Sequence, residues 1–239
     1  MMKQKISAAA LLIGALLVAP ASAHADMAKG WAGVDFGPKS YYTYVGAVAG
    51  LNHQNILNQN GFLLRVSGGY GEFTYDTVNS ASGHVDGKAS DGDLMVGYGY
   101  QLPQVRVTAY LGGDLQDQSL SPSDIRNTVS GTEAGVKGQL ELEMTPVNHI
   151  GANAAGNYST AFNTYWTHAG VGYDFGVAKF GPEVGFVGNK AYDQQRYGAA
   201  LTDIKVIGSV KGKIYGGYAD TQGNGASGAY GGVGLSANF

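Results

Sequence analysis

Apolar and polar residues alternate along much of the chain. Between Ala134 and Met144 every second residue is small or apolar. The opposite face of that segment carries Gly135, Lys137, Gln139, Glu141 and Glu143. Because successive side chains of a strand point to opposite sides of a sheet, this pattern predicts β-strands with one apolar and one polar face.

Twelve such segments follow one another and predict an all-β chain. The predicted strands are Trp31–Phe36, Tyr41–Leu51, Phe62–Tyr75, Asp93–Tyr100, Val105–Gln116, Ala134–Met144, His149–Tyr158, Thr164–Asp174, Ala178–Val187, Arg196–Leu201, Val206–Gly217 and Gly228–Phe239. Most have about the 9–11 residues that cross a bilayer at a tilt. The first, fourth and tenth are short, so ten strands is an alternative to twelve.

Alternation by itself fits two architectures. In a soluble periplasmic sandwich the apolar face is the core, whereas in a membrane barrel it meets lipid. The predicted connections favour the barrel. Tight turns at Gln101–Gln104, Thr145–Asn148, Phe175–Val177 and Thr202–Lys205 alternate with longer connections at Asp76–Gly92, Asp117–Glu133, Ser159–Asn163, Gly188–Gln195 and Tyr218–Ser227. Two connections depart from this order, since Gly37–Ser40 is short and Asn52–Gly61 is long. This parity is typical of outer-membrane barrels, and it predicts an antiparallel up-and-down transmembrane β-barrel with both termini on the periplasmic side.

The C-terminal segment has the pattern of the strand that closes such a barrel. Phe239, Ala237, Leu235 and Val233 share one apolar face, and the chain stops on the aromatic residue. We interpret these four residues as the insertion signal that the barrel-assembly machinery reads, and we expect their face to meet outer-membrane lipid.

The N-terminus has the three parts of a secretory signal peptide. Lys3 and Lys5 precede the apolar run Ile6–Val18, and overlapping A-x-A cleavage sites follow at Ala21–Ala25. The run is too short to span a membrane as a helix. We therefore predict a signal peptide over residues 1–23, a single barrel domain over residues 24–239, and export to the bacterial outer membrane.

Composition narrows the possible partners. Loss of Lys3 and Lys5 with the signal leaves 13 of the 15 basic residues against 18 acidic ones, a mature net charge of about −5. Nucleic-acid binding needs a basic patch, so no nucleic-acid partner is expected. Glycine (39 residues) suits close packing in a curved sheet, and tyrosine (16) suits membrane interfaces. There is no cysteine, so no disulfide supports the fold.

No catalytic, metal or cofactor motif is present. The five histidines lack metal-ligand spacing, and there is no G-x-S-x-G nucleophile elbow. An outer-membrane enzyme acting on lipids would need a Ser/His/acid set that the sequence does not offer. We therefore expect a non-enzymatic protein.

The predicted inward face carries charges of both signs. They are Arg65, Asp93, Arg106, Asp114, Lys137, Glu141, Glu143, Glu183, Arg196, Lys211 and Lys213. They form either an internal salt-bridge network that fills the lumen or the wall of a narrow polar passage. Eight-stranded barrels are filled by side chains, whereas sixteen-stranded barrels leave an open channel. Twelve strands lie between these cases, so both interpretations of the inward charges stay open. Inward Tyr110, Trp166, Tyr215 and Tyr230 have ring faces suited to sugars.

Several segments together resemble one bacterial family. They are Gly61–Gly71 with Tyr75-Asp76, Gly92–Tyr98, Leu120–Asp124, Tyr158–Trp166, and Phe180–Glu183 continuing to Gly188-Asn189, Tyr192-Asp193 and Arg196. The Y-S-T-A…Y-W and G-P-E…G-N…Y-D…R stretches are the most specific. With them the chain resembles the cellulose biosynthesis protein BcsS family from about Trp31 to the C-terminus.

The resemblance implies an outer-envelope protein associated with bacterial cellulose production, and it implies no catalytic residue. If the role concerns the exported polymer, the outer connections are the place of contact, with cellulose or the cellulose synthase complex as partner. Trp166, Tyr192 and Tyr110 are then the candidate glucan contacts. The alternative function is a general, narrow, porin-like channel for small solutes.

Overall fold

The computed structural model describes residues 27–51, 59–80, 83–124, 126–223 and 225–239. The predicted signal peptide, residues 1–23, lies outside them. The strands are β1 Ala28–Gly37, β2 Ser40–Gly50, β3 Gly61–Asp76, β4 His84–Gln101, β5 Val105–Ser121, β6 Gly131–Met144, β7 Ile150–Ser159, β8 Tyr165–Asp174, β9 Lys179–Asn189, β10 Tyr192–Ile207, β11 Val210–Gly223 and β12 Gly228–Asn238. A 3₁₀ turn, Ala161–Asn163, lies between β7 and β8.

The strands form one closed antiparallel barrel in which each strand pairs with its neighbours in sequence. Closure comes from β12, which pairs with β1 through Ala32 opposite Leu235 and Val34 opposite Val233. The backbone N–H groups of Met27 and Ala28 both donate to the Phe239 carbonyl. The predicted twelve-stranded up-and-down barrel is confirmed, and the alternative of ten strands is wrong.

The strands predicted to be short are full strands. β4 has 18 residues and β10 has 16, since each extends well beyond its predicted start. In β4 the added residues, from His84 to Gly92, pair with β3 on one side and, from Asp86 onward, with β5 on the other. The outward side chains of these added residues are polar. The apolar pattern therefore ends before the strand does, because backbone pairing continues through the polar part.

The turn predicted at Thr202–Lys205 is wrong. These residues belong to β10, which continues through register shifts after Leu201 and Lys205, and Asp203 adopts a φ of 53° there. A bulge of this kind adds an unpaired residue without ending the strand. The reversal lies at Gly208 and Ser209, so β11 begins at Val210 instead of Val206.

Apolar side chains cover the outside of the barrel. Leu140 is 49% exposed on this outer face, and Val107 and Leu235 are partly exposed there. These three residues therefore do not meet in a buried core of the kind that a sandwich would have. Exposed aromatic residues gather towards the two rims of this band: Phe62, Tyr98, Tyr100, Tyr173, Phe175 and Phe180 at one, and Phe36, Tyr70, Tyr158, Phe186, Tyr197 and Tyr218 at the other. Paired aromatic girdles around an apolar band are the outer surface of a transmembrane barrel.

The barrel is taller on one side. We call the end that carries Phe239 the terminal end and the opposite end the distal end. At the distal end β3, β4 and β5 rise above the apolar band, with outward hydrogen bonds between polar side chains such as Thr74 and Asp86. The connection after β5 folds back on this wall, where Tyr75 donates to Asp124 and accepts from Asn127. The length asymmetry therefore lies in the strands more than in the loops.

Candidate functional site in the barrel lumen

Strand register places the side chains of the predicted charge network on the inner face of the barrel. Residues paired across neighbouring strands share a face. Arg106 pairs with Glu143, and Gly112 pairs with both Lys137 and Met95. These residues therefore point into the lumen, where their contacts divide into separate clusters.

The first cluster is centred on Asp93 of β4. Its Oδ1 lies 3.0 Å from Nη1 of Arg65, and its Oδ2 lies 2.7 Å from Nζ of Lys137. Ser67 donates its hydroxyl to the same Oδ2 at 2.8 Å. The Asp93 side chain is 0% exposed, so these partners replace the water that a buried carboxylate needs.

Aromatic rings surround the arginine of this cluster. The Arg65 guanidinium lies 5.1 Å from the ring centre of Trp31 and 5.9 Å from that of Tyr110. Tyr110 is 7% exposed, and a Cβ at Gly97 would overlap its ring. Tyr110 therefore has no free ring face for a sugar, although it lies on the inner face as predicted.

Asp114 and Arg106 tie connections to the barrel wall. Asp114 accepts from Ser159 Oγ and from Gln116 Nε2, both at 2.7 Å. These bonds anchor the start of the β7–β8 connection. Near the terminal end, Nη1 of Arg106 donates to the Gln59 carbonyl at 3.0 Å. Both charged residues therefore hold structure in place.

A second cluster surrounds Glu183 of β9. Its Oε2 lies 3.0 Å from Nε2 of His168 and 3.1 Å from Nζ of Lys213. Tyr230 donates its hydroxyl to Oε1 at 3.2 Å. These contacts join β8, β9, β11 and β12, and they fix the orientation of the His168 ring.

The remaining predicted charges lie outside these clusters. Arg196 Nη1 is 3.6 Å from Oδ2 of Asp35. Lys211 pairs with Asp203 of β10 at 3.2 Å near the terminal end. Glu141 accepts from Gln139 at 2.6 Å, and Glu143 lies 4.0 Å from Lys29 of β1. The inward charges therefore form several local pairings, most of which link nearby or facing strands, whereas the Gln139–Glu141 hydrogen bond lies within β6.

Two of the predicted glucan-contact residues lie at the distal mouth. Trp166 pairs with Val187 of β9, and Tyr192 pairs with Asn189 of the same strand, which places both residues on the inner face. Trp166 is 37% exposed. Its ring lies parallel to that of His168, with an interplanar angle of 7° and centroids 6.1 Å apart. Trp166 therefore presents ring surface to the lumen.

Burial of the inward side chains differs around the lumen. On β3–β6 many of them are almost completely buried, although the Glu143 side chain at the terminal end of β6 is 58% exposed. The buried ones are Arg65, Asp93, Arg106, Thr108, Tyr110, Asp114, Gln116 and Gln139. Between the buried ends Gly151 and Ser159 of β7, the inward residues of β7 and of the facing part of β8 are half-buried or exposed, as Asn153, Asn157 and Trp166 are. Solvent therefore reaches the lumen along β7 and β8.

Four lumen residues near the clusters and the mouth were not predicted as site residues from the sequence: Asn153, Asn157, Asp35 and Tyr42. Tyr42 hydrogen-bonds Asp91 across β3. The parity that placed Lys137 and Trp166 inward also places these residues inward, but uncharged or isolated positions gave no reason to select them. Within the described residues, no group of three His, Asp or Glu side chains is arranged to hold a metal.

Comparison with known proteins gives one family and several barrels. The family model described as cellulose biosynthesis protein BcsS matches residues 30–239. Among curated proteins, none matches the chain.

The similar solved structures share the fold at low identity. KdgM porin in complex with disordered oligogalacturonate has a TM-score of 0.50 at 12% identity, covering 88% of this chain and 99% of that one. Another structure of KdgM porin gives 0.49 at 10% identity with the same coverage. The beta domain of the Bordetella autotransporter Brka gives 0.42 at 12% identity, covering 89% and 98%. At 12% identity, the match to the KdgM complex with a TM-score of 0.50 shows a shared barrel architecture and nothing more.

Proposed function

The chain belongs to the cellulose biosynthesis protein BcsS family, and we propose that it is a non-enzymatic outer-membrane barrel that contacts the exported glucan at its distal mouth. The distal end would face the cell exterior, as the loop-bearing end of an outer-membrane barrel does. The signal peptide would direct export, and Phe239, Ala237, Leu235 and Val233 would serve the barrel-assembly machinery during insertion.

The observation that carries this proposal is the position of Trp166. An exposed indole at the rim of a polar lumen offers an apolar surface to the C–H face of a sugar ring and an N–H donor to its hydroxyls. Tyr192 lies across β9 on the same inner face. The two connections beside them are joined, since Lys190 N–H donates to the Phe162 carbonyl at 3.1 Å. The pair therefore stands on a fixed rim.

Binding of the purified barrel to cellulose and to soluble cello-oligosaccharides tests the proposal. We expect Trp166→Ala to weaken binding at least about tenfold, in the range of an aromatic anchor, and Tyr192→Ala to weaken it less. Tyr218→Ala is the matched control, because Tyr218 is exposed on the outer face of the barrel. Equal binding by all variants would overturn the proposal. A glucan hydrolysis assay on the wild-type protein is expected to be blank.

A narrow channel for small solutes is the second candidate. The half-exposed Lys213 and exposed Asn153 support it, because they give the lumen a wetted polar strip. Stepwise ion conductance in planar bilayers, together with unchanged cellulose binding in Trp166→Ala, would favour the channel over the glucan contact.

A further inference from the structure

The wetted strip on β7 and β8 has the composition of a site for a neutral saccharide. Register stacks three inward pairs along it: Asn157 with Trp166, Ala155 with His168, and Asn153 with Gly170. Amide, indole and small side chains therefore follow one another from the distal mouth inward. No carboxylate or ammonium group is among the six residues of this strip.

The two asparagines have unused hydrogen-bonding groups. Among the residues that the structure describes, neither Asn153 nor Asn157 forms a side-chain hydrogen bond, although the charged residues nearby are paired. A primary amide both donates and accepts, which matches a sugar hydroxyl that does the same. Four residues of strand separate the two amides by about 13 Å, so they reach successive parts of an extended chain.

Neighbouring contacts order the aromatic part of the strip. The Glu183 carboxylate and Lys213 fix His168, and His168 lies parallel to Trp166. Ala155 and His168 form the row between the two amides, and the Asn153 amide oxygen would lie 3.2 Å from a Cβ at Gly170. A preorganised surface of this kind binds with less loss of side-chain entropy.

We propose that the β7–β8 strip, formed by Asn153, Asn157, Trp166 and His168, is a lumen subsite for a neutral glucan chain. This rests on the proposed glucan contact and extends it from the rim into the barrel. The filled β3–β6 half confines the chain to this wall. The absence of free charge on the strip selects a neutral polymer over an acidic one.

The cysteine-free sequence permits a direct test by labelling. Single Asn153→Cys and Asn157→Cys variants are folded into detergent, checked by heat-modifiable gel mobility, and treated with a hydrophilic thiol reagent. Thr108→Cys is the matched control, because Thr108 faces the lumen at the depth of Ala155 but is 4% exposed. We expect the two strip thiols to react at least about tenfold faster than the control thiol.

Cello-oligosaccharide is expected to slow labelling of both strip thiols, whereas oligogalacturonate of similar length is not. Slow labelling of both strip thiols, or protection by the acidic oligosaccharide alone, would overturn the subsite. If Trp166→Ala weakens glucan binding while the strip thiols stay unprotected, the subsite fails and the mouth contact stands. If the wild-type barrel binds no glucan, both fail.

Asn157→Leu supplies a measurement that does not depend on cysteine chemistry. The substitution keeps the volume of the side chain and removes its polar atoms. We expect cello-oligosaccharide affinity to fall about fivefold to tenfold, the effect of one lost hydrogen bond. Unchanged affinity in this variant would contradict the subsite.

Discussion

Lys137 on β6 reaches over β5 and places its Nζ 2.7 Å from Oδ2 of Asp93 on β4. Gly112 is the β5 residue paired with Lys137, so no β5 side chain lies beside Lys137 at that level. Arg65 approaches the same carboxylate from β3 on the other side. One buried acid therefore joins three strands that are not all neighbours, and it holds the filled half of the lumen together.

Removal of this charge is expected to destabilise the barrel. Asp93→Asn leaves Arg65 and Lys137 buried with no carboxylate, and breaking a buried ion pair from one side costs about 3–5 kcal/mol. Urea unfolding in detergent, with the loss of heat-modifiable gel mobility as the readout, measures this loss of unfolding free energy. In the control Asp76→Asn, which breaks the exposed Lys39–Asp76 pair, the loss is expected to stay below about 1 kcal/mol. Similar losses in both variants would contradict the buried cluster.

A glycine under an aromatic ring is expected to resist substitution. A Cβ at Gly46 would overlap the Trp31 indole, so Gly46→Val must displace the ring from Arg65. We expect a loss of about 1–3 kcal/mol in the same unfolding measurement, the cost of overpacking.

Gly138→Ala is the control for that measurement, since nothing lies within 4 Å of the added Cβ. Truncation of the ring in Trp31→Leu/Gly46→Val should recover part of the loss. A double variant that unfolds as easily as Gly46→Val alone would argue against ring overlap as the cause.

The two faces of the barrel predict opposite responses to an added charge. Leu140→Arg places a guanidinium against lipid, which costs about 2–4 kcal/mol near the bilayer midplane. Asn153→Arg places the same side chain in the wetted lumen and should fold nearly as well as the wild type. Folding yield into lipid vesicles compares them. Equal yields would deny that Leu140 faces acyl chains.

The Glu183 cluster lies beside the wetted strip and contributes to the charge of the accessible lumen. Glu183→Gln leaves Lys213 without its counter-charge 3.1 Å away, so the accessible lumen becomes more basic. If wild-type protein conducts in planar bilayers, the variant should shift reversal potentials towards anion selectivity, and salt should screen the shift. Asp76→Asn serves as the control outside the lumen. A shift towards cations would show that Glu183 does not face the conducting path.

The sequence by itself predicted the antiparallel order and the face of each side chain within a strand, and it favoured twelve strands over ten. Side-chain direction in a strand has a period of two, so Lys137 and Leu140 were assigned to opposite faces without knowledge of any partner. The same local rule placed Trp166 inward. The face of a side chain depends only on the residues of its own strand, which is why the sequence suffices for it.

Only the tertiary structure decided the strand ends, the partners and the uneven filling of the lumen. The start of β4 is held by pairing with β3 and β5, and the bulge at Asp203 by the register of β10 against β11. Barrel closure brings Glu183 to Lys213 and covers Tyr110 with Arg65 while Trp166 stays open. These contacts join residues that are distant in sequence. The alternation within one strand does not indicate which inward side chains meet.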